Sequence, residues 1–147
     1  MEKKVHEPDE KEIWYDWYLG IQAIFYFAQG AAFVGIILMP NFFIRQLNLS
    51  ESEALQAESI IFLPWIIKFL FGILSDNVRI GSLGRRRPYI LIAGIMGIFG
   101  WFFFAFVSAY STMVLLLGIL ITGSVAVADM VFDLLGVDVV LTKRRGY

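Results

Sequence analysis

The sequence predicts an all-α integral membrane protein of four transmembrane helices with both termini on the cytoplasmic side. Three observations carry this expectation. Hydrophobic residues make up 59% of the 147 positions, mean hydropathy is +0.71, and both exceed what a soluble domain carries. Four apolar stretches are each long enough to cross a bilayer core that needs about 20 residues. The basic residues fall on alternate sides of those stretches. Lys3, Lys4 and Lys11 precede the first, Arg79 and Arg85 to Arg87 lie between the second and third, and Lys143 to Arg145 follow the fourth. Only Arg45 lies in the opposite loops. Loops rich in lysine and arginine stay in the cytoplasm, which sets the orientation.

Composition also excludes several classes. The net charge of −1 says nothing about partners, and no nucleic-acid partner is expected. The chain has no cysteine, so disulfides, thiolate metal sites and iron–sulfur clusters are ruled out. Its one histidine, His6, lies in the polar N-terminal arm, which leaves a haem without a histidine ligand inside a span. No cofactor is expected. Neither a nucleophile–base pair nor a metal cluster nor a phosphate loop stands out, so the chain does not read as an enzyme.

Residues 1–12 form a polar cytoplasmic arm, exposed and partly disordered to about Lys11, and residues 13–147 form the membrane domain. Trp14, Tyr15, Trp17 and Tyr18 crowd the edge of the first span as an interfacial belt. That span runs over about 19–43 and holds Gln22, Gln29, Gly30 and Gly35, with Pro40 near its far end. An outside loop follows. In it, Ser50 with Glu53 three residues on reads as a capped helix start. The second span covers about 55–74, with Glu58 near its outer mouth, Pro64 in its middle and Lys68 in its inner half. Pro64 should kink it by removing a backbone donor. The third span, about 89–107, carries Gly94, Gly97 and Gly100 as a ridge for close helix approach. Trp101 to Phe104 and Phe106 read as lipid-facing or interfacial. A short outside turn leads to the fourth span, about 113–140, with Asp129, Asp133 and Asp138 in its inner part.

The ionisable residues within spans are the candidate site. A lysine in an apolar helix either snorkels to the surface or faces a cavity or a paired charge. Lys68 lies about 12 Å along the helix from Asp76. Its natural partners are Asp129 and Asp133, which are four apart and so share a helix face. Two carboxylates that close in low dielectric cannot both sit comfortably ionised unless a cation lies between them. That is suitable physics for proton coupling. Gln22, Gln29 and Glu58 could line a polar pathway. Asp138, near Lys143, reads as interfacial. Asp76 opposes the negative C-terminal end of its own helix, so it should pair with one of Arg85, Arg86 or Arg87 or cap the N-terminus of another helix.

Gly72, Asp76, Gly84 and the Arg85-Arg86-Arg87 run resemble the loop after the second helix in the major facilitator superfamily. The aspartate-to-glycine spacing is longer than the commonest form. Longer loops ending in Gly-Arg-Arg-Arg-Pro are similar to those of glycoside–pentoside–hexuronide and sucrose transporters. Trp65-Ile66-Ile67-Lys68, Ser75-Asp76, Arg86-Arg87-Pro88-Tyr89, Tyr26-Phe27-Ala28-Gln29-Gly30 and Asp129-x-x-x-Asp133 are more similar to the folate–biopterin transporter family. The resemblance covers nearly all of the chain after residue 13.

It implies the first four helices of a transporter that moves an organic solute, folate- or pterin-like, by proton- or ion-coupled alternating access. Gly72, Asp76, Gly84 and Arg85 to Arg87 would form a cytoplasmic latch. Lys68, Asp129, Asp133 and Gln29 would serve solute binding or coupling. The plasma or inner membrane is the expected location. The superfamily has twelve spans around a midplane site, so the chain is expected to be the N-terminal part of a longer protein, a truncated product, or a subunit needing other helices. The expected partners are the lipid bilayer, the small organic solute and those remaining helices. An alternative is a structural or assembly subunit of a larger membrane complex, as in pigment-complex assembly, for which a relative of the superfamily in photosynthetic bacteria serves.

Overall fold

The computed structural model describes residues 10–81 and 85–144, with side chains placed over 17–81 and 85–139. Residues 1–9 of the expected arm, Gly84 of the expected latch, and Arg145 lie outside the described residues. Among those described there are seven helices and no strand: α1 (Glu10–Ile37), α2 (Met39–Gln46), α3 (Glu51–Ile61), α4 (Leu63–Ile66), α5 (Lys68–Asn77), α6 (Arg87–Phe104) and α7 (Thr112–Arg144). Three helical stretches are long and apolar enough to cross a membrane: Trp17–Gln46, Arg87–Phe104 and Thr112–Val139.

Two prolines shape the rest. Pro40 lies in the first turn of α2, where its missing N–H is harmless, and the helix breaks just before it at Leu38. The expected second span is likewise segmented. Pro64 opens α4, and the ladder is interrupted at Phe62 and again at Ile67. Instead of one kinked helix, the chain makes α3, α4 and α5 end to end. The breaks stay nearly helical, since the Ile67 amide still donates to the Leu63 carbonyl at 3.2 Å and Leu70 to Ile67 at 2.9 Å. At the head of α3 the capping box is present. The Ser50 amide donates to a Glu53 carboxylate oxygen at 2.9 Å, and the Glu53 amide donates to the Ser50 hydroxyl at 3.4 Å. The Ser50 hydroxyl holds Glu53 from this exposed position and draws its carboxyl below the usual value of 4.5.

α7 is the central helix, with α1, α3, α4, α5 and α6 all packed against it. Of its most apolar stretch, 61% lies inside the protein, against 6% for α1 and α2 together. Small residues set the approach distances. A Cβ at Gly100 would come within 2.7 Å of Ile121 and one at Gly97 within 3.0 Å of the Ser124 hydroxyl, but Gly94 meets nothing. The α6 ridge therefore docks through two of its three glycines. On α7 itself, Gly118 admits the side chain of Ile61, which a Cβ there would approach to 2.5 Å.

The apolar core lies toward one end of the bundle. Ile36, Met39 and Phe43 meet Ala54, Ala57 and Ile61, with Phe104, Val114, Leu117 and Ile121 closing the cluster. Phe104 is buried and Trp101 packs against this core, whereas Phe102, Phe103 and Phe106 are exposed as the sequence suggested. The acidic side chains of α7, Asp129, Asp133 and Asp138, follow this core along the helix.

Candidate functional site

Three helices meet at Asp129. The break at Ile67 starts α5 at Lys68, which directs that side chain across to α7. Its Nζ lies 2.8 Å from Oδ2 of Asp129. On α1, the Gln29 amide donates to the other carboxylate oxygen, Oδ1, at 2.5 Å. Both oxygens of this buried carboxylate are thus held, one by a cation and one by an amide. The Lys68 ammonium also sits 4.4 Å from the centre of the Trp65 ring, an attractive cation–π contact. Trp65 in turn meets Phe33 of α1 edge to face at 4.7 Å. Three of the expected residues, Lys68, Asp129 and Gln29, are brought together.

The fourth, Asp133, lies one turn further along α7 and makes a separate contact. It accepts a hydrogen bond from the Tyr26 hydroxyl. The two carboxylates share a face, as their spacing requires, yet each has its own donor. Lys68 does not bridge them. Around Asp133 the α1–α7 seam is tight and aromatic. Phe25 stacks on Phe132 with centroids 3.9 Å apart, and the Tyr18 hydroxyl reaches the Phe132 carbonyl at 3.4 Å. Gly136 leaves room for that hydroxyl, since a Cβ there would lie 2.8 Å from it. Glu58 stands apart, half-buried on α3 and ten residues before Lys68.

Reading residue types alone missed Tyr26 and Trp65 as members of this site. The usable signal was spacing: Tyr26 precedes Gln29 by three and Trp65 precedes Lys68 by three, so each pair shares a helix face.

At the end of the bundle, Arg86 joins three elements. Its Nη2 donates to Oδ1 of Asp76 at 3.1 Å. Its Nη1 lies 3.0 Å from Oδ2 of Asp138, an ion pair without hydrogen-bond alignment. Asp138, which the sequence marked as interfacial, is part of this junction. Arg85 and Arg87 make no ion pair among the described residues. The buried Tyr89 ties the same junction from α6, its hydroxyl 3.2 Å from the Leu74 carbonyl and 3.0 Å from that of Val78. Gly72 sits where α5 crosses α7, close under Met130.

No grouping of histidine, cysteine or acidic residues suited to a metal ion occurs among the described residues. Beside the polar cluster an open cleft of about 600 Å³ runs between α1 and α6 over α7, lined by Phe25, Gln29, Gly94, Trp101 and Ser124 among others.

The sequence pattern of the BT1 family matches residues 29–145. A folate-biopterin transporter of Synechocystis sp. is 32% identical over 113 residues, covering 77% of this chain and 23% of that protein. Probable folate-biopterin transporter 4 of Arabidopsis thaliana is 32% identical over 135 residues, or 88% of this chain and 27% of the relative. Probable folate-biopterin transporter 2 of the same plant is 36% identical over 94 residues, or 61% and 18%. The chain thus spans about a quarter of the length of the curated relatives it matches. No solved structure matches it significantly. The relatives are named as transporters, not enzymes. With the family pattern running through Gln29, Lys68, Asp76, Arg86, Asp129 and Asp133 alike, the chain belongs to the BT1 family.

Proposed function

We propose that this chain is part of a membrane transporter for a folate- or pterin-like solute. It works by ion-coupled alternating access, together with helices beyond its own four. In this reading residues 55–74 of the segmented stretch α3–α5 are the second span, the arrangement is that of a major facilitator bundle, and both ends of the chain face the cytoplasm. Asp76 and Arg86 form a cytoplasmic latch, extended by Asp138. Lys68, Asp129, Gln29 and Asp133 form the binding and coupling site.

The observation that carries this reading is the Lys68–Asp129 pair with Gln29 on its second oxygen. A half-buried ion pair in an apolar bundle is costly to desolvate, and replacement by packed apolar residues is often neutral or stabilising. Its presence where α5 packs on α7, a helix long and apolar enough to cross a membrane, therefore favours a role in transport over a role in stability. The relatives' names supply the solute class.

Uptake of labelled folate and of biopterin into vesicles carrying the protein tests it, with Lys68→Ala and Asp133→Asn compared. Loss of uptake in either variant is expected. Unchanged uptake in both would remove these residues from the mechanism.

A further inference from the structure

We propose that Lys68 exchanges its partner during transport: a carboxylate of an anionic solute takes the place of Asp129, and the released Asp129 takes up one proton. The proposal rests on the transporter reading and specifies the solute's charge and the proton's acceptor.

The two members of the pair differ in access. The Lys68 side chain is 34% exposed and that of Asp129 only 9%. Within this chain the ammonium is therefore the more accessible of the two. An ammonium has three donors, and one is directed at Asp129. An arriving anion can engage a second before the first contact breaks, so Lys68 need not stand without a partner in the exchange. The ring of Trp65 beside it offers a flat surface to a planar solute whose carboxylate is on Lys68.

Once released, Asp129 keeps only the Gln29 amide on Oδ1. An ionised carboxylate buried without a cation is too expensive to persist, and such groups neutralise. Its titratable and charged neighbours are Lys68 from α5, Tyr26 from α1 and Asp133 on its own helix; the other helices against α7 make no ion pair or hydrogen bond to it among the described residues. Asp133 is exposed and held by Tyr26, and it supplies no positive charge. The step balances. One N–H···O contact to Asp129 breaks and one to the solute forms. An O–H bond forms on Asp129 from a hydronium ion, and nothing is oxidised. One negative charge and one proton enter together, so the site's net charge is unchanged.

The experiment compares folate, whose tail is anionic, with biopterin, which is uncharged, binding to the protein in vesicles, with proton uptake read by a pH dye. In Lys68→Gln with Asp129→Asn, a neutral pair of similar shape, folate should bind at least about tenfold more weakly while biopterin changes less than about threefold. In Asp129→Asn alone folate binding should persist, its dependence on pH should flatten, and proton uptake on binding should disappear. Equal weakening of both compounds in the double variant, or proton uptake persisting in Asp129→Asn, would overturn the exchange. Wild-type protein that binds neither compound would overturn the transporter reading and this proposal with it.

Discussion

Arg86 and Lys68 illustrate two uses of a basic residue in one chain. Arg86 bridges acids that are themselves substantially exposed, Asp76 and Asp138. The Arg86 side chain itself is only 14% exposed, but solvent at both acids keeps each pair at about 0–1 kcal/mol, as for surface ion pairs. Arg86→Gln should therefore leave thermal unfolding of the solubilised protein nearly unchanged while impairing uptake; a large fall in melting temperature would make Arg86 a structural residue instead. Lys68 was legible in the sequence because a charge inside an apolar run is conspicuous. Its partner was narrowed to Asp129 or Asp133 by helical spacing, but the choice between them was not legible. It depends on where the break at Ile67 aims the side chain, and that is set by packing against α7. The contact of Asp138 with Arg86 was not legible for a related reason: a neighbour in sequence, Lys143, drew attention from a neighbour in space.

Among the elements, the start of α3 was the most readable, whereas the breaks at Leu38 and Ile67 were not foreseen. Ser50 with Glu53 carries local chemistry that tertiary packing did not override. The capping box gives a pH prediction. The folded-state pKa of Glu53 is depressed, so its contribution is present above the ordinary carboxylate value and is lost as pH falls through the folded-state value. Ser50→Ala should accelerate amide exchange in the first turn of α3 near neutral pH, and the difference from the parent should shrink as the solution is acidified. Equal differences at both pH values would contradict it. The glycine ridge was legible only in outline, because spacing marks a face without saying which members touch. Gly118→Ala should destabilise by about 1–3 kcal/mol through its clash with the buried Ile61. Gly94→Ala, facing open space, should lie within about 0.5 kcal/mol of the parent. Denaturation in detergent, run on both, separates the two sites.

For the molecule as a whole, hydropathy predicted helices throughout and the described residues are helical with no strand. The division of the bundle into an apolar core at one end and polar clusters toward the other was not visible, since it arises from which helices surround α7. The absence of cysteine makes the proposed topology easy to check. Single cysteines from Ser52→Cys and Ala109→Cys should react with an impermeant maleimide added to intact cells, and one from Ile80→Cys only after permeabilisation. Labelling of Ile80→Cys in intact cells would reverse or break the four-span arrangement. The most direct measurement on the central claim is a double-mutant cycle on folate uptake with Lys68→Gln, Asp129→Asn and the two combined. If the pair acts as one unit in transport, the combined loss will be far smaller than the product of the single losses. Strictly multiplicative losses, or single variants that transport as the parent does, would contradict it.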